Sequence, residues 1–338
     1  MRKLLYALAA FTLLFTPLAQ AAPELRSDHP ERYTVVKGDT LWDISGRFLN
    51  NPWYWPEIWH VNPQVANPHL IYPGDRLALV YIDGKPRITK VSTNGVVKLS
   101  PKVRSERIDT PIPAIPLDAI SSFLTDTRIV TPEELNGAPY VLEGEDGRII
   151  TGAGDRIYAR GDKPADKVGI FRRTKEFIDP ETGEFLGLEA RSVGAGTVTA
   201  ENGDVLTLRL TKSNQEIRIG DRLLNNINRP ISTSFSPSSP DDQVEGQMIA
   251  VDGGVTQIGQ FDVVAINRGR RNGLKPGNVM AVLKSGNMVR DPVTGETIEL
   301  PSERAGLMMI FQAYEKMSYG LVLQATRPLS VGDKVTNP

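Results

Sequence analysis

Two short motifs each occur twice in this 338-residue chain, and both pairs have the same spacing. Residues 179–184 read Asp-Pro-Glu-Thr-Gly-Glu, and residues 291–296 read Asp-Pro-Val-Thr-Gly-Glu. Residues 219–223 read Ile-Gly-Asp-Arg-Leu, and residues 331–335 read Val-Gly-Asp-Lys-Val. Both pairs are 112 residues apart, since 179 pairs with 291 and 220 pairs with 332. Two matches at one offset indicate a duplicated structural unit.

The residue types of both motifs are typical of turns between β-strands. Proline and glycine set the dihedral angles of a tight hairpin turn, and Gly-Asp before a basic and an apolar residue leads into a strand. The sequence around them is rich in glycine and β-branched residues, with a helical stretch only near 132–135. We therefore predict a mostly β region at 118–338, built from two related β units at about 118–228 and 243–338 with a loop at 232–242 between them.

The segment 32–80 reads as a separate compact unit of a different kind. Its aromatic and β-branched start predicts a strand, and Asp39 or Thr40 is a suitable cap for the helix that follows. Pro56 suits the first turn of a second short helix. The predicted fold class is α+β: a βααβ module followed by the mostly β region, with the module's elements at about 33–36, 41–49, 56–61 and 76–80.

Two shorter segments connect these parts. Asp83-Gly84 and Asn94-Gly95 are good hairpin signals, so residues 81–108 are predicted to form a small β extension. In residues 109–117, proline alternates with small or apolar residues, which favours an extended spacer. We predict a domain boundary at that Pro-rich linker.

The N-terminal unit resembles a known family at both of its ends. Residues 33–45 read Tyr-Thr-Val-Val-Lys-Gly-Asp-Thr-Leu-Trp-Asp-Ile-Ser, and residues 67–77 read Asn-Pro-His-Leu-Ile-Tyr-Pro-Gly-Asp-Arg-Leu, with Asn62-Pro63 between them. This pattern is similar to the LysM domain family, although the stretch 50–55 is longer and richer in tryptophan than in a minimal LysM domain. The resemblance implies binding to N-acetylglucosamine-containing glycans, chiefly peptidoglycan.

In the LysM family the sugar lies in a shallow groove between the loop after the first strand and the loop before the last strand. The matching candidate glycan-binding residues here are Gly38, Asp39, Thr40, Leu41, Asn67, Pro68, Leu70, Ile71 and Tyr72. An N-acetyl group needs backbone hydrogen-bonding groups and an apolar seat for its methyl. Glycine allows close backbone approach, and Leu41 and Ile71 can supply the apolar surface. A few hydrogen bonds of about 0.5–1.5 kcal/mol each predict weak binding that depends on avidity.

The aromatic residues of this unit allow two interpretations. Trp42 is expected in the core of a LysM fold rather than as a platform for a sugar. The remaining aromatic side chains either fill the small core, or one or two of them are exposed to stack on sugar rings. These residues are Trp53, Tyr54, Trp55 and Trp59.

The first 21 residues predict export. Arg2 and Lys3 precede the apolar run 4–18, and Ala19-Gln20-Ala21 is a small-x-small cleavage site. We predict a signal peptide at residues 1–21, a mature start at Ala22 and a periplasmic location, with no later transmembrane segment. The alternative is a retained anchor, but the run is shorter than the roughly 20 residues of a spanning helix.

Composition argues against several classes of function. The formal net charge is −1, and loss of Arg2 and Lys3 with the signal peptide gives −3, so no nucleic-acid partner is expected. The chain has no cysteine and three histidines, at 29, 60 and 69, in none of the usual zinc or thiol-catalytic patterns. We predict a non-enzyme with no metal and no cofactor. A glycosidase that uses only carboxylates is not excluded by residue type.

The order of segments is similar to that of the secretin-associated LysM proteins of type IV pilus systems, the TsaP family. Their C-terminal part resembles the C-terminal domain of the flagellar protein FlgT. This resemblance implies a protein that fixes an outer-membrane secretin to the wall, with many weak LysM contacts in a ring-like multimer around it. The alternatives are a wall-anchored component of another envelope machine, such as a flagellar basal-body ring, and a wall-remodelling enzyme.

Overall fold

The computed structural model describes residues 23–59, 71–91, 113–225, 235–254, 257–284, 286 and 288–338. The predicted signal peptide lies outside the described residues, as do the Asn94-Gly95 hairpin signal and residues 109–112 of the predicted linker. The described chain is mostly β, which confirms that part of the predicted fold class.

The N-terminal module combines a small sheet with two helices. Its three strands form an antiparallel sheet in the order β1-β2-β3. The hairpin predicted at Asp83-Gly84 connects β2 to β3, with both turn residues at positive φ. A short 3-10 turn at Pro52–Tyr54 precedes the second helix. The elements are β1 (Arg32–Thr34), α1 (Leu41–Phe48), α2 (Trp55–Ile58), β2 (Arg76–Ile82) and β3 (Lys85–Lys90).

The chain then forms a first β assembly that is introduced by two helices. Seven strands pair in the order β10-β7-β5-β12-β8-β9-β4, and β10 also pairs with β9. Six of these strands therefore pair in a ring, and β4 extends it at β9. The elements are α3 (Leu117–Asp126), β4 (Thr127–Val130), α4 (Pro132–Gly137), β5 (Tyr140–Gly144), β6 (Ile150–Thr151), β7 (Arg156–Arg160), β8 (Lys167–Ile178), β9 (Phe185–Asn202), β10 (Val205–Ser213), β11 (Ile217–Arg218) and β12 (Arg222–Asn225).

The C-terminal residues form a closed barrel with the cyclic order β13-β14-β19-β18-β15-β20. A separate pair, β16 and β17, extends the β15–β18 hairpin beyond the barrel. The elements are β13 (Gly246–Val251), β14 (Val263–Ile266), β15 (Val279–Lys284), β16 (Met288–Arg290), β17 (Thr297–Glu299), β18 (Glu303–Ala313), β19 (Ser318–Ala325) and β20 (Lys334–Thr336).

The two β assemblies share one pairing scheme. If β5, β7, β8, β9, β10 and β12 are matched in chain order to β13, β14, β15, β18, β19 and β20, all six neighbour relations around the first ring recur around the second. Both copies of the Gly-Asp motif also form the same turn. The carboxylate of Asp221 accepts from the Arg218 N–H, and that of Asp333 accepts from the Ser330 N–H, both at 2.8 Å.

The C-terminal barrel is the centre around which the other parts pack. The largest apolar cluster of the described residues joins its strands to Trp42 and Trp53 of the N-terminal module, to Ile115 and α3, and to the tip of the β8–β9 hairpin. Ala114 and Ile115, within the predicted linker, are buried rather than exposed. These two adjacent apolar residues therefore fill two different cores, while the predicted boundary itself stays a prediction.

Candidate functional site

The loop after β1 is shaped by one left-handed glycine and one carboxylate. Gly38 has φ +98°, is exposed, and has no atom within 4 Å of the position a Cβ would take. Asp39 is buried, and its Oδ2 accepts from the Val36 N–H at 2.9 Å and the Tyr33 hydroxyl at 2.8 Å. Burial, reinforced by this bond to Asp39, raises the pKa of Tyr33. The Asp39 carboxylate therefore stabilises the turn that presents Gly38.

Thr40 begins helix α1 through a capping box. The Asp43 N–H donates to Thr40 Oγ1 at 3.1 Å, and the Asp43 carboxylate accepts from the Thr40 N–H at 3.2 Å. This reciprocal pair satisfies two backbone donors that a helix start otherwise leaves without an internal partner. The predicted cap is therefore present, and it places Leu41 in the first turn of the helix.

The described part of the second loop adjoins the first. The Gly74 N–H donates to Val35 O at 2.7 Å, and the Val35 N–H donates to Asp75 O at 2.9 Å. Leu41 and Ile71, predicted as the apolar seat, are brought together in the core of the module and are each about 1% exposed. Tyr72 is half-buried. The three other candidate residues, Asn67, Pro68 and Leu70, lie outside the described residues.

The first two N–H groups of α1 donate hydrogen bonds to backbone carbonyls of the segment that precedes α3. The Leu41 N–H donates to Pro113 O at 3.0 Å, and the Trp42 N–H donates to Ala114 O at 3.2 Å. Ala114 belongs to the same apolar cluster as Leu41 and Ile71. Sequence reasoning missed this contact because the alternating prolines of the segment indicate an extended spacer.

The tryptophan side chains of the module are all buried. Trp55 and Trp59 lie in the module's own core, whereas Trp42 and Trp53 face the C-terminal barrel. Arg304 of the barrel covers the Trp53 ring, with its Cζ 5.2 Å from the ring centroid. Burial in this contact lowers the pKa of Arg304. In this arrangement no tryptophan face is open to a sugar ring. Trp55 and Trp59 fill the small core, whereas Trp42, which we expected there, is buried with Trp53 in the cluster shared with the barrel.

A polar cleft of about 390 Å³ lies beside α1, where the module meets the barrel. Its walls include Arg26, Arg47 and Asn50 from the module and Gln260 and Gln324 from the barrel. Arg47 is held over the Tyr33 ring at 4.7 Å. These groups can form hydrogen bonds but include no nucleophile beside a base.

Across the residues that the structure describes, no group of three or more His, Cys, Asp or Glu side chains is placed to hold a metal ion. Within the same residues, no helix has both the length and the apolar character that crossing a membrane requires.

Comparison with known proteins agrees with the geometry of the N-terminal module. Part of the chain is similar to the uncharacterized protein YqbP of Bacillus subtilis (strain 168), at 40% identity over 60 residues. That alignment covers 15% of this chain and 27% of the length of YqbP. Residues 33–79 match the family described as LysM domain. The predicted LysM unit is thereby confirmed, and the chain carries a cell-wall-binding type of domain, which indicates peptidoglycan binding and fits an extracytoplasmic location.

Proposed function

We propose that this protein is a non-catalytic periplasmic anchor that binds peptidoglycan through its LysM domain and holds an outer-membrane secretin of a type IV pilus system. The observation that carries the proposal is the LysM match at 33–79, together with its intact capped loop. The signal-like residues 1–21 support export, with a mature start at Ala22.

The glycan is proposed to lie along the two loops of the module. Gly38 is the strongest of the candidate contacts, because an exposed glycine at φ +98° lets a ligand approach the backbone closely. The full proposed set is Gly38, Asp39, Thr40, Leu41, Asn67, Pro68, Leu70, Ile71 and Tyr72. Asp39 and Thr40 contribute by shaping the site, since their side chains hold the turn that presents Gly38 and the cap that begins α1. Affinity per domain is weak, and a ring-like multimer would supply avidity.

The two β assemblies are proposed to be duplicated units that serve as a scaffold. The shared pairing scheme supports this, and so do matched ion pairs 112 residues apart. Arg172 contacts Asp221 at 2.8 Å in the first unit, and Lys284 contacts Asp333 at 3.3 Å in the second. Position 172 corresponds to 284, and 221 to 333.

A protein partner for this scaffold is supported by one exposed hairpin. Strands β16 and β17 carry apolar side chains that face solvent, including Met288 at 65%, Ile298 at 47% and Val293 of the connecting turn at 91% exposure. A cluster of exposed apolar residues of this kind marks an interaction surface. We assign it to the secretin.

Glycan binding is tested with a matched pair of glycines. Gly38 and Gly84 both have positive φ and open space at the Cβ position, but Gly84 lies in the β2–β3 turn, away from the groove. Valine strains both turns to a similar extent. We expect Gly38→Val to reduce co-sedimentation with purified peptidoglycan sacculi by about tenfold, and Gly84→Val to leave it unchanged. Equal retention of both variants would remove this loop from the binding site.

The partner is tested in the same sedimentation with detergent-solubilised envelope. We expect the secretin to follow the wild-type protein to the sacculi, because the anchor binds both. If a flagellar basal-body component follows instead, the alternative envelope machine replaces the pilus. Clearing of peptidoglycan in a zymogram would instead identify a wall-remodelling enzyme.

A further inference from the structure

Residues Pro113, Ala114 and Ile115, which we call the plug segment, lie across the start of helix α1. A helix start leaves its first N–H groups without an internal partner. Here the Asp43 N–H donates to the Thr40 cap, and the two N–H groups before it, those of Leu41 and Trp42, donate to Pro113 O and Ala114 O of the plug segment. The backbone donors that the helix start offers at this end of the groove are therefore all used.

The side chains of the plug segment link two cores. Ala114 is about 4% exposed and packs in the cluster that contains Leu41 and Ile71, the predicted apolar seat of the groove. Ile115 is fully buried in the other cluster, shared with Phe123 and the C-terminal barrel. The segment is thus fixed from both sides, by the module and by the β region.

The groups that the plug segment presents are those of an N-acetyl sugar. An N-acetyl group offers a carbonyl oxygen to N–H donors and a methyl to an apolar seat. Ala114 offers a carbonyl oxygen to the Trp42 N–H, 3.2 Å away, and a methyl side chain to the cluster of Leu41 and Ile71. One residue therefore reproduces both recognition features.

We propose that the plug segment occupies the glycan's place on the LysM domain, so that wall binding and docking of this segment exclude one another. The proposal rests on the glycan-binding function proposed above. In the docked arrangement the domain is closed to glycan, and binding requires Pro113–Ile115 to leave α1.

Wall binding is therefore coupled to the packing of the plug segment against the β region. Apparent affinity equals the intrinsic affinity scaled by the fraction of molecules in the open form, so an open fraction of about 1% weakens binding about a hundredfold. Release of the plug segment also draws Ile115 out of the core that it shares with α3 and the barrel. Glycan thereby loosens the contact between the LysM domain and the scaffold.

The first test measures affinity in the full-length mature protein, with a soluble tetramer of N-acetylglucosamine as the probe in calorimetry. Ile115→Asn places an amide in a fully buried apolar site and should release the plug segment. Ile149→Asn is the matched control, since Ile149 is 70% exposed in the first β assembly. We expect Ile115→Asn to bind at least about tenfold more tightly than wild type, and Ile149→Asn to bind like wild type. Equal affinity in all three proteins overturns the proposal.

The second test uses the wild-type protein alone, so it does not depend on how a variant folds. Amide hydrogen exchange is followed in 113–126 and at Leu41 and Trp42, with and without saturating tetramer. We expect exchange in 113–126 to speed up while Leu41 and Trp42 stay protected by the sugar. Binding without any change in 113–126 overturns the proposal. If neither the tetramer nor the sacculi bind any of the proteins, the proposed glycan-binding function is wrong. The proposal that the plug segment excludes glycan, which rests on that function, is then wrong as well.

Discussion

The two copies of the Asp-Pro-x-Thr-Gly-Glu turn have the same internal hydrogen bond, but their first and last residues differ in their surroundings. The N–H of the first residue donates to the last carbonyl at 2.8 Å in Asp179–Glu184 and at 2.7 Å in Asp291–Glu296. The glycines have φ of 72° and 77°. The first turn nevertheless docks on the C-terminal barrel through its first residue, since Asp179 is about 2% exposed whereas the matching Asp291 is half-buried.

The difference comes from the residues that receive each turn. Asp179 Oδ1 accepts from Asn267 Nδ2 at 3.0 Å, and Glu184 contacts Arg271 at 2.6 Å and Lys316 at 2.8 Å. Around Glu296, the described residues place no charged side chain in ion-pair range. The first copy of the motif therefore holds the first β assembly against the C-terminal barrel, whereas the second copy is a solvent-exposed surface.

The largest expected effect separates the two aspartates at the start of these turns. Asp179→Ala leaves the buried Asn267 amide and a backbone N–H without their acceptor, which costs about 3 kcal/mol of unfolding free energy. Asp291→Ala removes bonds that water can replace, and should cost about 1 kcal/mol or less. Denaturant unfolding of both variants measures the difference. Equal losses of unfolding free energy would show that the first turn does not hold the first β assembly against the barrel.

A second comparison concerns the ion pairs at the repeated Gly-Asp turns. Arg172 makes two bonds to buried Asp221, through Nε at 2.9 Å and Nη2 at 2.8 Å, whereas Lys284 makes one longer contact to Asp333. Because Arg172 is partly exposed, we expect Arg172→Ala to cost about 2 kcal/mol and Lys284→Ala about 1 kcal/mol. Thermal unfolding of the two variants gives the order. A larger loss for Lys284→Ala would reverse our assignment of the tighter pair.

The pH dependence of the unfolding free energy distinguishes Glu184 from its counterpart Glu296. Hydrogen bonds from Arg271 and then Lys316 lower the pKa of Glu184 from 4.5 to about 2. Since the folded-state pKa lies below the unfolded one, this stabilisation is present above about pH 4.5 and is lost as the pH falls toward 2. Glu184→Gln should therefore be less stable than wild type at pH 7, with the gap closing across that interval. Glu296→Gln is the control, and a gap for Glu184→Gln that does not depend on pH would exclude the ion pairs as its cause.

The smallest effect on stability is expected at the tip of the free turn. Val293→Glu copies the residue found at 181 and replaces a side chain that faces water, so unfolding free energy should change by less than about 0.5 kcal/mol. Secretin retention should fall, because the apolar surface proposed to contact it is interrupted. Normal retention by a stable Val293→Glu protein would move the secretin contact away from this hairpin.

The features that depend on residues close together in the sequence were predicted from it. The turn at 291–296, the cap at Thr40 and the hairpin at Asp83-Gly84 each follow from local dihedral and hydrogen-bonding preferences. The docking of Glu184 on Lys316 does not, since 132 positions separate them and the described residues give the second turn no such partner. The plug segment was missed for the same reason, because burial of Ile115 depends on surfaces supplied by α3 and the barrel.

The ribbon formed by β8 and β9 has a mechanical consequence. Twelve residues of β8 run antiparallel to the longer β9, a length of about 40 Å. At its base, β8 and β9 pair with other strands of the first β assembly. At its tip, Glu184 forms an ion pair with Arg271 beside the C-terminal barrel. A tension that draws the two assemblies apart along this ribbon pulls β8 and β9 in the same direction, because the turn at 179–184 joins them. The two covalent backbones therefore carry the load side by side, and the hydrogen bonds between the strands are not opened one by one. The ribbon thus ties the two assemblies together, and under tension the ion pairs at its tip separate before the ribbon itself comes apart.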